Sequence, residues 1–113
     1  MDELFEKLKE YLHMDTEIPF EEFSDFYQSL INELNANYAE LSQDSLLKSR
    51  YTCSIVQANA DSRARKSKTN AKAYRKMASK CAFWADAINY RLLKEGMSQA
   101  EIDQATEEIN KSV

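Results

Sequence analysis

Glycine and proline are nearly absent from this chain: its 113 residues contain one of each, Gly96 and Pro19. Turns that depend on these residues must therefore be few, which disfavours folds built from many short strands. Runs of alternating polar and apolar residues, the pattern of half-buried strands, are missing as well. Alanine, leucine, glutamate and lysine, which favour helix, are abundant. The sequence predicts an all-α protein.

Long apolar runs are also lacking, so no segment is expected to cross a membrane. The first residues, MDELFEKLKEYL, mix acids and bases and do not resemble a signal peptide, and we expect a cytoplasmic protein. Only two cysteines occur, Cys53 and Cys81, without CxxC spacing. They are interpreted as reduced, small hydrophobic residues. The length favours a single domain over residues 1–113.

Apolar residues that recur every three or four positions predict five helices. Pro19 suits the first turn of a helix, Gly96 stands where a helix-ending glycine is common, and SQAE at 98–101 matches a capping box. Either Thr69 or Asn70 is expected to cap the fourth helix. The predicted inward positions of the third helix are Leu47, Tyr51, Ile55 and Ala58. The predicted helices cover 2–14, 19–41, 45–66, 70–95 and a short segment that starts at 98.

The third and fourth helices could form one rod or a hairpin. A continuous helix over 45–95 would reach ~77 Å, which is too long for a compact domain of this size. A hairpin that turns at SKTN, residues 67–70, is therefore favoured. The predicted architecture is an antiparallel helical bundle of four helices plus a short C-terminal fifth helix.

Charge is segregated along the chain. Residues 1–62 hold thirteen acids and four bases, whereas RARKSKTNAKAYRKMASK, residues 63–80, holds eight bases and no acid. We call these eight residues the basic stripe: Arg63, Arg65, Lys66, Lys68, Lys72, Arg75, Lys76 and Lys80. At 100° per residue, the lysines of the fourth helix lie opposite its apolar face, so they are expected to be exposed.

Three interpretations of the basic stripe are open. It could be a solvated face that answers acids elsewhere in the chain, a site for an acidic protein, or a site for nucleic acid. Cations at the start of a helix oppose its dipole, and like charges at i and i+4 repel, so something negative should offset them. Nucleic-acid-binding proteins are usually basic, whereas the net charge here is −4. The internal or solvated face is the favoured interpretation.

The second half of the fourth helix, CAFWADAINYRLL, is apolar on nearly all sides. Phe83, Ala87 and Tyr90 fall on the lysine side, away from the predicted core face. A helix that is apolar all round is normally buried all round, and the fifth helix offers few residues to cover these rings. The three residues are therefore a candidate interface for a homo-oligomer.

No catalytic, metal or cofactor site is predicted. The Glu10/His13 pair has the Glu-x-x-His spacing of di-iron bundles, but His13 is the only histidine and such sites need two pairs. No glycine-rich phosphate loop or recognisable nucleophile occurs. The expected function is non-catalytic protein–protein interaction with self-association, and the alternative is a nucleic-acid-binding accessory factor. In size, helix content and charge segregation the chain resembles small accessory proteins of bacteria and their phages, although no motif identifies a family.

Overall fold

The computed structural model describes all 113 residues, and every regular element in it is helical. This confirms the predicted all-α bundle. The long axis measures 43 Å and the two others 25 and 24 Å, as expected for helices packed side by side. The elements are α1 (Asp2–Leu12), α2 (Phe20–Asn37), a 3₁₀ turn (Tyr38–Glu40), α3 (Gln43–Lys66), α4 (Ala71–Lys94) and α5 (Gln99–Ser112).

Helices α3 and α4 form a hairpin with the most extensive helix–helix contact in the fold, and its turn lies at 67–70 as predicted. The predicted capping group is only partly right. Asn70 occupies the N-cap position of α4, but its side chain makes no capping hydrogen bond. The Ser67 hydroxyl instead accepts a hydrogen bond from the Asn70 amide at 2.9 Å. The side chain that closes the loop between α3 and α4 therefore belongs to Ser67, three residues before Asn70.

Helix α3 is central, and its predicted inward face is only partly correct. Tyr51 is buried, but Ala58 is exposed, while Cys53 and Val56 are buried on other sides of the helix. The buried side of α3 also includes two polar residues, Ser49 and Thr52, so it is not marked by apolar residues alone. The Ser49 hydroxyl donates to the Ser45 carbonyl and the Thr52 hydroxyl to the Lys48 carbonyl, four residues back in each case. Because these groups satisfy themselves within the helix, they can be buried without polar partners elsewhere.

Helix α2 ends at Asn37, earlier than the predicted Leu41, and continues as the 3₁₀ turn. Arg91 of α4 binds the segment that follows this end. Its guanidinium donates hydrogen bonds to the Tyr38 carbonyl, to the Ala39 carbonyl at 3.3 Å and to the Leu41 carbonyl at 3.1 Å. The cation therefore holds the 3₁₀ turn and Leu41, which follow α2, against α4.

Helix α5 begins with the predicted capping box. The Ser98 hydroxyl accepts from the Glu101 amide at 3.1 Å, and the Glu101 carboxylate accepts from the Ser98 amide at 2.9 Å. Gly96 precedes it with a φ of 104°, a conformation that side-chain-bearing residues rarely adopt. The helix buries Ile102 and packs mainly against α3. It therefore leaves the opposite side of α4 uncovered.

Candidate functional site

The side of α4 that faces away from the bundle carries bases in its first half and aromatic rings in its second. Because these residues recur every three or four positions, they line up along one side of the helix. From Lys72 to Tyr90 this side is ~27 Å long. We call it the outer face of α4 and define it by Lys72, Arg75, Lys76, Lys80, Phe83, Ala87 and Tyr90.

The aromatic half of the outer face is open to solvent. Phe83 is 60% exposed and Tyr90 is 62% exposed. Leu93, 41% exposed, extends the apolar surface at the C-terminal end. Ala87 between the rings is half-buried, and its carbonyl accepts a hydrogen bond from Tyr38 at 3.3 Å. The structure thus places the three predicted interface residues on one surface that no other helix covers.

Cations border both rings. The Lys80 ammonium lies 5.8 Å from the centre of the Phe83 ring, and the Lys94 ammonium lies 5.4 Å from that of Tyr90. Such cation–π contacts contribute ~0.5–1 kcal/mol at exposed sites. The bases and the rings therefore form one continuous surface with a mixed apolar and cationic character.

Most of the basic stripe has no acidic partner within the chain. Lys66 reaches Glu17 at 3.8 Å, but none of the other seven residues has a carboxylate oxygen within 4.0 Å of its cationic nitrogens. The first turn of α4 contains no acid either. The lysines at the start of α4 therefore face the unfavourable helix dipole without a local counter-charge.

Arg63 is separated from the rest of the basic stripe. It is half-buried, and its Nη1 donates hydrogen bonds to the Ile18 carbonyl at 2.9 Å and to the Tyr74 hydroxyl at 3.3 Å. Its guanidinium also lies 4.3 Å from the centre of the Phe23 ring. Arg63 therefore holds the loop before α2 against the α3–α4 hairpin, whereas Arg65 and the lysines are exposed.

One residue that the sequence did not single out joins the outer face. Tyr27 of α2 lines a shallow depression together with Lys72, Arg75, Lys76, Ser79, Lys80 and Phe83. Burial raises the pKa of Tyr27, so its phenol stays protonated near neutral pH. Tyr27 shares a helical stripe with the buried Phe23, Leu30 and Leu34, so the period alone would place it in the core. Only the packing of α2 beside α4 shows that its partly exposed edge meets the lysines.

The cysteines lie in the interior instead of at a reactive surface. Cys53 and Cys81 are free and fully buried. A hydrogen bond with the Cys81 thiol is the main cause that raises the pKa of the Cys53 thiol, and burial is the second. Both disfavour the thiolate. No cluster of three or more histidine, cysteine or carboxylate side chains is placed to hold a metal ion. None of the helices is long and apolar enough to span a bilayer.

Comparison of the chain with protein-family models, with curated proteins and with solved structures finds no match.

Proposed function

We propose that this protein is a non-catalytic, cytoplasmic interaction module that self-associates through the outer face of α4. The observation that carries the proposal is the exposure of Phe83 and Tyr90, 60% and 62%, in line on one helix. Large aromatic side chains contribute strongly to protein interfaces because each can bury roughly 150–250 Å². An exposed apolar patch bordered by charges is typical of a contact surface.

The basic half of the face favours an antiparallel pairing of two α4 helices. A parallel pair would place the lysine row of one copy beside the same row of its partner, and like charges at close range repel. In an antiparallel pair centred near Ala87, the two rows lie at opposite ends, while Phe83 of each copy meets Tyr90 of the other. Only three large apolar side chains are available per copy, well short of the roughly 800 Å² that a standard interface buries on each partner. We therefore expect transient association with a dissociation constant of about micromolar magnitude.

Sedimentation velocity over a range of concentrations tests this proposal. The wild-type mass should rise from that of the 13.1 kDa chain towards that of a dimer. Phe83→Asp and Tyr90→Asp should each keep the chain monomeric without loss of helix, because they place a carboxylate in the apolar contact. Ser29→Asp, which adds the same charge at an exposed position of α2, is the control and should still associate. A wild-type chain that stays monomeric at high concentration contradicts the proposal.

A second candidate, binding of single-stranded nucleic acid, is favoured by one specific observation. The unpaired cations of the depression are flanked by Tyr27 and Phe83. Cations that follow a backbone, beside rings on which bases can stack, are the usual components of such sites. The net charge of −4 weighs against it, because long-range repulsion opposes a polyanion, and for this reason we rank it second.

Fluorescence anisotropy with a labelled oligothymidine tests this candidate. If about four phosphates are neutralised, the logarithm of the binding constant should fall with the logarithm of salt concentration with a slope of about −3. Phe83→Leu should weaken binding because it removes a stacking surface while retaining an apolar side chain. The absence of salt-sensitive binding at low ionic strength would exclude this second function.

A further inference from the structure

A cavity of about 240 Å³ lies between α1, the loop 13–19, α2 and α3, apart from the outer face of α4. Its interior is apolar: Leu8, Phe23, Phe26 and Val56 line it and are each buried. It opens to solvent past Leu12 and Met14, which are 40% and 47% exposed. An apolar cavity of ~150 Å³ admits benzene, so this one has room for a single ring with a short arm.

Arg63 supplies a positive charge to the cavity wall. Its Nη1 is engaged by the Ile18 carbonyl and the Tyr74 hydroxyl, and its Nε is buried without a partner. Its Nη2, by contrast, makes no hydrogen bond and is not shut off from solvent. No carboxylate of the chain lies within ion-pair distance of the guanidinium. One charge-assisted donor is therefore free for an acceptor.

The adjoining loop also has backbone amides without acceptors in the chain. The backbone amides of Asp15, Thr16 and Glu17 have no carbonyl partner within the chain, and all three residues line the cavity. Tyr11, also in the lining, does not introduce a competing negative charge. Burial, with neighbouring Glu22 adding to it, raises its pKa to about 12.

Acids around the cavity act in the opposite direction: Asp15 and Glu17 lie in its lining, and the charges of Glu10, Glu22 and Asp25 act on Tyr11. Asp15 and Glu17 are exposed, and Glu17 lies 3.8 Å from the Lys66 ammonium. Charges surrounded by water are screened, whereas a half-buried guanidinium acts through a medium of lower polarity. Arg63 is the one cationic side chain in the cavity lining, and it is the charge that a bound anion would meet there.

We propose that this cavity binds a small carboxylate with an apolar body, which inserts its ring or branched chain among Leu8, Phe26 and Val56 and accepts a hydrogen bond from Arg63. The carboxylate can belong to a free organic acid or to the C-terminal residue of a peptide, because the two present the same chemistry. The small volume favours the free acid. This inference is independent of self-association through α4.

Titrations monitored by ¹⁵N chemical shifts, with probes that share one apolar body, test the proposal. The probes are phenylacetate, phenylacetamide and phenethylamine, which carry a negative charge, no charge and a positive charge. Phenylacetate should bind at least about tenfold more tightly than the other two, because only it pairs with the guanidinium. Saturable shifts should appear in the loop 13–19 and at Arg63. No saturable shift with phenylacetate, equal binding of the amide, or tighter binding of the amine would each overturn the proposal.

Two variants locate the site. Ile55→Trp, at a half-buried lining position, should fill the cavity and weaken phenylacetate binding by at least about tenfold while the helix content is retained. Arg63→Lys should weaken it several-fold because the planar donor group is lost, whereas Arg65→Lys, on the exposed surface, should leave it unchanged. Unaltered binding by Ile55→Trp would show that the probe lies elsewhere and would overturn the assignment.

A final comparison identifies the source of the carboxylate. A short acetylated peptide that ends in phenylalanine is titrated as the free acid and as the C-terminal amide. Weaker binding of the peptide acid than of phenylacetate supports a free small acid as the ligand. Binding at least as tight as that of phenylacetate, and lost in the amide, supports the same site with a chain terminus as its ligand.

Discussion

Two arginines of the basic stripe, Arg63 and Arg65, have different surroundings in the folded chain. Arg63 belongs to an unbroken basic run, yet its guanidinium lies over Phe23 and bonds to the Ile18 carbonyl, 45 residues earlier in the chain. Arg65, two positions on, is exposed and unpaired. Nothing local distinguishes the two arginines, because the difference arises from how the loop before α2 packs against α3. Conversely, Phe83 and Tyr90 could be placed from the sequence, since helical period alone puts them opposite the core.

A pair of matched substitutions makes this difference measurable. Arg63→Gln should lower the free energy of unfolding by about 1–3 kcal/mol, because it removes two hydrogen bonds and a cation–π contact from a half-buried position. Arg65→Gln should change it by no more than about 0.5 kcal/mol, as is usual for surface substitutions. Urea denaturation followed by circular dichroism measures both. Equal effects would mean that the contacts of Arg63 add nothing to stability.

At the scale of elements, the helical pattern located all five helices, and it succeeded best where one face is buried. Helix α4 has a single apolar stripe, so its lysines could be placed opposite the core from the sequence. Helix α3 touches α1, α4 and α5, and it buries hydroxyls as well as apolar side chains, so no single stripe describes it. The early end of α2 was also hidden, since Arg91, from a distant part of the chain, binds the carbonyls of the segment that follows this helix. The buried sides of α3 and the end of α2 therefore depend on tertiary contacts, which the local sequence pattern does not show.

The capping box of α5 should contribute to the stability of the fold. Ser98→Ala removes the hydroxyl acceptor and should lower the free energy of unfolding by about 0.5–2 kcal/mol. Ser29→Ala, in the exposed middle of α2, is the control and should cause no comparable loss. Thermal melts followed by circular dichroism measure both variants. Equal melting temperatures for wild type and Ser98→Ala would contradict the prediction.

The pH dependence follows from the Glu101 side of the box. The hydrogen bond from the Ser98 backbone amide, assisted by the Ser98 side chain, holds the pKa of Glu101 below its ordinary value of 4.5. A carboxyl whose pKa is lower in the folded state stabilises the fold above the unfolded pKa and loses this effect as the pH falls through the folded pKa. The stability difference between wild type and Glu101→Gln should therefore shrink between neutral pH and about pH 3. A constant difference across this range would show that the carboxylate charge is not what matters.

At the scale of the whole molecule, charge segregation is the feature that the fold does not neutralise. The sequence favoured an internal or solvated role for the basic stripe, with acids of the first half as possible partners. Within the basic stripe, only Lys66 has a carboxylate oxygen within 4.0 Å of its cationic nitrogen, so direct ion pairing does not offset the charge of the α4 lysines. The sequence could not decide this, because the pairing depends on which faces of α2 and α4 are opposed. An unmatched cationic row beside exposed rings is the strongest reason to look for a partner outside the chain.

Replacing Lys68, Lys72, Lys76 and Lys80 with glutamine should therefore not destabilise the protein. At low salt the free energy of unfolding should rise slightly, by less than about 1 kcal/mol, because like charges at i and i+4 near a helix N-terminus are removed.

The matched control replaces Lys7, Lys9, Lys48 and Lys111, each of which has an acidic partner at 3.0 to 3.6 Å. Both variants make the net charge more negative by the same amount, so the comparison isolates local pairing. The control should lose roughly 0.2–1 kcal/mol per pair, and less at high salt. A stripe variant that loses as much as the control would mean that the lysines already have their counter-charge within the molecule, and the case for an external anionic partner would fail.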